Sequence, residues 1–490
     1  MTIRLNPRVT APLIAALLLT TACDKRRDAG RVVVSAIGGD LVIGDPSRTP
    51  LGHAARLMMD ATAQGLVRFD ASGQIEPGIA ERWIVIDDGM SYIFRLRDAE
   101  WSNGEPVTAA EVVAVLRRQI APRSRNPLAP YLSAIDEIVE MTPEVIEVRL
   151  KRPRPDLLKL FAQPELAVFR ARPVVGSGPM RVLRATRDEA LLRPAVDPAR
   201  SPDDVADPIP EDDVRLIGER AARAIARFAA GQSDLVTGGT FADWPLLATT
   251  TIAPVNRKLD PAAGLFGLVV TNRTGFLADA KARAAISAAL DRQSIVSAFL
   301  PEWTPVSQIL PEQLDSGAGP IIPDWFAPRP EERLQAVRAL VGAWRSVHPG
   351  PLTLRLAVPA GPGSTMLYGL VGASLATMGI RLQRVGMDDP ADLRLIDAVA
   401  PYDSARWYLA TACAPCGEEA TAAIEAARDA PDMASRGQRL AEADFALAAD
   451  AAFIPIARPL RWSLVAIRLR QWEPNTRGWH PLNHLRAVPN

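Results

Sequence analysis

The chain has 490 residues, 48% of them hydrophobic, enough apolar material to bury a large core and to divide into two or three domains. Its formal net charge is zero, which removes the electrostatic footprint of a nucleic-acid binder or of a protein steered to an anionic partner. Proline is nearly twice as frequent as usual, at 43 residues, and with this hydrophobic content it points to ordered loops rather than disorder.

Arg4 and Arg8 flank a short basic region, and Ala11 to Leu19 is apolar but far shorter than the ~20 residues that span a bilayer. Residues 1–22 therefore read as an export signal. It ends Leu19-Thr20-Thr21-Ala22-Cys23, which resembles a lipoprotein cleavage box, although Leu sits one residue further upstream than the usual box places it. Cys23 would then be the lipidated first residue of the mature protein and 23–30 a charged tether; an ordinary signal peptide with an incidental cysteine is the alternative. Acyl chains at about 0.8 kcal/mol per buried methylene would hold such a protein on a membrane, and Asp24 resembles the signal that retains Gram-negative lipoproteins at the inner membrane.

Val32 to Ser35 reads as the first strand. Trp83 to Ile86, the turn Asp87-Asp88-Gly89 and the alternating Tyr92, Phe94 and Leu96 read as strand, turn and half-buried strand. Thr108-Ala-Ala-Glu111 is a capping box opening a helix whose Val112, Leu116 and Ile120 share one face. Ile135 to Met141 and Val145 to Leu150 form a hairpin. Val174 to Met180 is glycine-rich, but no Lys-Ser/Thr follows, so it does not read as a phosphate loop. Val196 to Asp213 is an exposed loop. Arg220 to Phe228 is a helix, Gly267 to Val270 an apolar strand, and Asp279 to Val296 one long helix. Leu352 to Val358, Ser364 to Met378 and Ile380 to Val385 make a βαβ unit with a right-handed crossover, and the loops at the carboxyl ends of its strands are ligand candidates. Met433 to Ala449 gives another helix and Phe453 to Ile456 a buried strand.

Cys413 and Cys416 can be a redox motif, half a metal site or a local disulfide. Zinc needs two more ligands, and the four histidines lie far off in sequence; no thioredoxin-like surroundings are evident. In an oxidising compartment the simplest assignment is a structural disulfide stiffening a loop.

Gly65-Leu66-Val67, Glu76-Pro77-Gly78-Ile79-Ala80, Trp83, Asp88-Gly89, Phe94-Arg95-Leu96-Arg97, Asn103-Gly104 and Pro106-Val107-Thr108-Ala109 follow one another as in the peptide/nickel (family 5) class of extracellular solute-binding proteins, the receptors of ABC importers, which the chain resembles. Gly176-Ser177-Gly178-Pro179, Gly231 to Asp234, Thr271-Asn272, Asp291-Arg292, Ile309-Leu310-Pro311 and Arg461-Trp462 continue the likeness, which covers about 30 to 490.

The resemblance implies an α/β, two-lobed periplasmic binding protein of type II, in the large peptide-binding class, with an extra inserted α/β domain and a hinge that closes the lobes on a ligand. It divides the chain into lobe I (31–53, 174–252 and 465–490), the inserted domain (54–173) and lobe II (253–464). Peptide-binding members hold the substrate's amino terminus with an Asp in a Trp-x-x-Asp-Tyr pattern. Here Tyr402 matches, but Pro401 replaces the Asp and Ala398 the Trp, and Asp403 is either a substitute anchor or a turn residue. Trp407, Tyr408 and Trp462 can stack on a ligand or fill core; Arg406 and Arg461 can clamp a carboxylate or lie on the surface. Asn272 follows a buried strand and is placed at the cleft, and Arg48 and His53 lie in the early loop that reaches the cleft in the family.

No Gly-x-Ser-x-Gly elbow, HExxH or Walker motif occurs, so nothing calls for an enzyme, a metal or a cofactor. The resemblance implies a monomeric, lipid-anchored periplasmic receptor that hands a small-molecule or peptide ligand to ABC permease and ATPase subunits, without nucleic acid. A binding fold kept as an envelope scaffold, chaperone or sensor is the alternative.

Overall fold

The run Val32–Ile37 is apolar on both faces, as a strand covered from both sides must be, and in the computed structural model it lies at the centre of a seven-stranded sheet. The structure describes residues 30–154, 156–171, 174–196 and 207–486, so the stretch expected to be an export signal and Cys23 lie outside the described residues. Val32–Ile37 pairs in parallel with Val214–Glu219 and Leu235–Thr240, which are joined through helix Ala221–Ala229, the kind of crossover that parallel strands require. Glu189–Pro194 and Met180–Ala185 extend one edge antiparallel, and Arg461–Val465 and Arg257–Asp260 extend the other.

The second lobe is built on five strands in the order Ile380–Val385, Leu352–Ala357, Leu393–Val399, Gly264–Val270, Phe453–Ala457. All seven residues of Gly264–Val270 are buried. The expected βαβ unit is present, with helix Pro362–Thr377 between the parallel strands Leu352–Ala357 and Ile380–Val385.

The inserted domain is a four-stranded antiparallel sheet, Ala80–Ile86, Ser91–Leu96, Val145–Leu150 and Ile135–Thr142, covered by helix Ala109–Ile120. That helix begins at the predicted capping box: Thr108 Oγ1 accepts from Glu111 N at 3.4 Å, and the Glu111 carboxylate accepts from Thr108 N at 3.3 Å. The turn at Asp87-Asp88-Gly89 uses left-handed backbone at Asp88 and Gly89, with φ of 53° and 86°, a conformation that Asp tolerates and Gly adopts freely.

Three sequence expectations are corrected. Strands Arg257–Asp260 and Arg461–Val465 pair in the first sheet, so the chain passes between the lobes at 261–263 and 458–460 rather than at 253 and 464. Helix His53–Thr62 packs on Val32–Ile37 and so belongs with the first lobe, although it opens the stretch assigned to the inserted domain. The single helix expected over Asp279–Val296 is two, Ala280–Ala289 and Arg292–Phe299. The break is at Asp291, whose carboxylate accepts from Ser294 N at 3.0 Å and starts a new helix, as Asp side chains do at N-caps. Arg292 fixes the corner: its buried guanidinium donates to the carbonyls of Ser287 and Pro455 at 2.7 and 2.6 Å.

Candidate functional site

The chain leaves the second sheet at Val399, turns through Ala400 to Asp403 and enters helix Ala405–Ala412. The Asp315 carboxylate organises this turn, accepting from Ala405 N at 2.6 Å, Ser404 Oγ at 3.1 Å and Arg436 Nε at 3.1 Å. Arg436 also donates to Ala427 O and Ser404 Oγ, each at 3.0 Å. One wall of a cavity is thereby fixed, presenting Tyr402, Arg406, Arg428 and Arg436.

The facing wall comes from the inserted domain: Tyr131, Arg154, and Leu157 at the start of the short helix Leu157–Phe161. The space between the walls holds about one water molecule. The walls are tied together around it. Lys159 Nζ meets Asp403 Oδ2 at 2.5 Å, Gln163 Nε2 donates to Pro401 O at 2.6 Å, Arg152 pairs with Asp429 at 2.9 Å, and the rings of Tyr131 and Tyr402 stand edge to face at 5.7 Å.

The site is strongly cationic. Burial, with Arg436, Arg152 and Arg406 nearby, pulls Arg154 down to about 9, and burial lowers Arg406 as well, against the opposing pull of Tyr402. Tyr402 is pushed up to about 12 by burial, so its hydroxyl stays protonated and able to donate. Arg406 lies over the Tyr131 ring at 5.8 Å, a cation–π contact, while its buried Nε has no hydrogen-bond partner.

Of the residues expected at a site, Tyr402 and Arg406 meet in this cavity. Asp403 stands beside it but holds Lys159 and Arg477. Burial raises its pKa, but Arg477 and Lys159 outweigh that and keep the carboxylate below its ordinary range. His53 and Arg461 come together elsewhere. His53 stands edge to face with Trp479 at 5.7 Å, and burial, with Arg56, His480 and Arg461 nearby, holds it at about 3. Arg461 is bound to Asp397 at 2.8 Å.

The remaining candidates lie outside this cavity, and the cysteine pair forms the expected local disulfide. Trp407, Tyr408 and Trp462 are core, 5%, 1% and 1% exposed, and Trp462 donates its Nε1–H to Thr240 O at 2.9 Å. Asn272 lies at the end of Gly264–Val270 away from the interlobe crossing, where its side chain is used by Asp392 and Thr274. Arg48 is exposed to solvent. Cys413 and Cys416 are bonded to each other.

Tyr131, Arg154, Arg428 and Arg436 were not anticipated. Arg436 shares its buried helix face with Leu440, Ala443 and Leu447, and an arginine on an apolar stripe at that spacing is a legible sign of a buried partner. The basic run Lys151-Arg152-Pro153-Arg154 was a second sign. Among the described residues no group of three or more His, Cys, Asp or Glu is placed to hold a metal ion, and no helix is long and apolar enough to cross a membrane.

A family model described as bacterial extracellular solute-binding proteins, family 5 Middle, matches residues 74–389. A probable deoxycholate-binding periplasmic protein of Escherichia coli is 40% identical over 90 residues, 18% of this chain and 17% of its own length. The periplasmic oligopeptide-binding protein OppA of Salmonella typhimurium is 24% identical over 330 residues, 60% of this chain and 59% of its own. The sequence matches thus span 17% to 59% of those relatives' length. In three dimensions, the crystal structure of Haemophilus influenzae OppA in complex with RPPGFSPFR is similar, with a TM-score of 0.75 at 18% identity, covering 93% of this chain and 98% of that one. At that identity the likeness is one of fold.

Proposed function

The chain belongs to the family 5 bacterial extracellular solute-binding proteins, and on that footing we propose that it is the periplasmic substrate-binding component of an ABC importer, capturing a small or peptide-like solute by hinge closure and delivering it to a permease. The observation that carries this is the cavity itself. It lies just beyond the carboxyl end of Leu393–Val399, where α/β sheets gather ligands, and its walls belong to two different bodies. A solute bridging them binds the closed arrangement better than the open one, and that difference drives closure. The work is binding rather than bond making, with ATP hydrolysed by a partner subunit. One chain supplies both walls, so a monomer suffices.

The two sequence relatives are described as a probable deoxycholate-binding protein and an oligopeptide-binding protein. Here Pro401 offers no charge where an amine anchor is expected, and Asp403 is already held by two cations. The solute is accordingly one not anchored through a free amine. Deoxycholate, amine-blocked peptides and free dipeptides form the first panel; binding of free dipeptides that is lost on blocking the amine would overturn this point.

Residues 1–22 act as the export signal and Cys23 as the lipidated residue, with Asp24 retaining the protein at the inner membrane. Cys23→Ser should move the protein from the membrane to the soluble periplasmic fraction and abolish fatty-acid labelling; unchanged fractionation would place the anchor elsewhere.

The narrowness of the cavity favours a second use of the fold, as an envelope scaffold, chaperone or sensor whose walls stay together. A permease encoded beside it, and uptake lost on deletion, support the receptor; walls that remain closed in every condition support the scaffold.

A further inference from the structure

Four guanidinium groups line the cavity and no carboxylate does, so the compensation of each charge can be followed. Arg436 is paired with Asp315 at 3.1 Å. Arg428 is held by Asp429 at 2.8 and 3.0 Å, and that carboxylate also serves Arg152 at 2.9 Å. Arg154 donates only to carbonyls, those of Pro153 at 2.8 Å and of Arg428, and makes no ion pair among the described residues. Arg406 has no hydrogen bond and no ion pair among them; what faces it are Tyr402, the ring of Tyr131 and the more distant field of Asp429.

Burying part of a guanidinium without an acceptor, as at the Arg406 Nε, costs stability, and neighbouring positive charges add to that cost. Such an arrangement is explained by a partner that arrives later. We propose that this cavity selects solutes carrying an oxyanion, a carboxylate or a phosphate, gripped by Arg406 from the second lobe and Arg154 from the inserted domain as the two walls close. This rests on the receptor reading above. A planar guanidinium matches either oxyanion with paired N–H donors, and the protonated Tyr402 hydroxyl supplies another donor. A cationic amine would meet four like charges with Asp403 already taken. Because the closed space holds about one water, the anion enters while the walls are apart and is enclosed when they meet.

Arg406→Gln is the discriminating variant, because it removes a charge that makes no hydrogen bond. The ligand-free domain should be as stable as the wild type or more so, by urea unfolding. Binding is measured by calorimetry with citrate and glycerol 3-phosphate as the carboxylate and phosphate arms, glycerol as the neutral control and ethanolamine as the amine control. The wild type should bind at least one anion and neither control, Arg406→Gln should bind that anion about 10- to 100-fold more weakly, and Arg406→Lys should recover part of the loss. Equal binding by wild type and Arg406→Gln, or preference for glycerol or ethanolamine, overturns the anion assignment and leaves solute capture standing. A folded protein that binds none of the four overturns the assignment too, and silence toward the wider peptide and bile-acid panel removes the receptor reading with it.

Discussion

Replacing Asp315 by alanine removes the group that holds one wall of the cavity together. Its carboxylate and the Arg436 side chain are 7% and 2% exposed, and it also accepts from Ser404 Oγ and Ala405 N. Breaking a buried pair by removing one partner costs about 3–5 kcal/mol, because the remaining charge is left uncompensated. The Ala405 N–H loses its acceptor as well, for about 1–3 kcal/mol where water does not reach it. We expect Asp315→Ala to lose about 4 kcal/mol or more, read as a lower urea midpoint at unchanged slope. The double variant Asp315→Ala/Arg436→Met should recover much of this, because an apolar pair of similar volume often replaces a buried ion pair at little cost, leaving a coupling energy of about 2 kcal/mol or more. A loss in the single variant below about 1 kcal/mol, or a double variant no more stable than the single one, would refute the role given to this pair.

Asp444, 2% exposed and accepting from Ile321 N at 2.9 Å, is raised by burial to about 6. The native state therefore keeps a proton that the unfolded chain releases near pH 4, so this group's contribution to stability falls as pH rises from about 4 to 6, by about 3 kcal/mol in all. Asp444→Asn keeps the acceptor without the charge; it should raise stability at pH 8 and flatten the unfolding profile across that window, and an unchanged slope would contradict the assignment. Asp60, also raised by burial to about 6, contributes in the same sense and would remain in the variant. Gly239 lies against Trp462, where an added Cβ would come within 2.2 Å of the indole; Gly239→Ala should cost about 1–3 kcal/mol by overpacking, and a neutral effect in thermal unfolding would show that the ring has room to shift.

Local signals were legible where one stretch of chain determines its own structure. The capping box at Thr108 and Glu111, the hairpin from Ile135 to Leu150 and the buried strand ending at Val270 were predicted from residue type and period. Strand partners were not, because pairing is a tertiary choice: Arg257–Asp260 and Arg461–Val465 meet across 200 residues of chain, and nothing local in either marks them for the first sheet. The helix expected through Asp291 fails for a similar reason. The periodicity continues across it, but the corner is held by Arg292 reaching Pro455. At the cavity, Tyr402 is legible from its place in a family motif and Arg406 only as a guanidinium able to clamp a carboxylate. Arg154 and Arg436 come from separate elements, and only packing puts their charges beside one another. Trp407 and Trp462 show the converse, since aromatic residues suited to stacking on a ligand are equally suited to filling a core.

The most direct measurement is thermal melting of the domain beginning after Cys23 against solutes ranging from small oxyanions and bile acids to blocked and free peptides. A solute that binds only the folded state stabilises it by about 2.7 kcal/mol at a hundredfold excess over its dissociation constant. The account predicts a clear upward shift with at least one anion-bearing solute; a folded, ligand-free protein whose melting no member of the panel moves would contradict solute capture and leave the scaffold or sensor use of this fold.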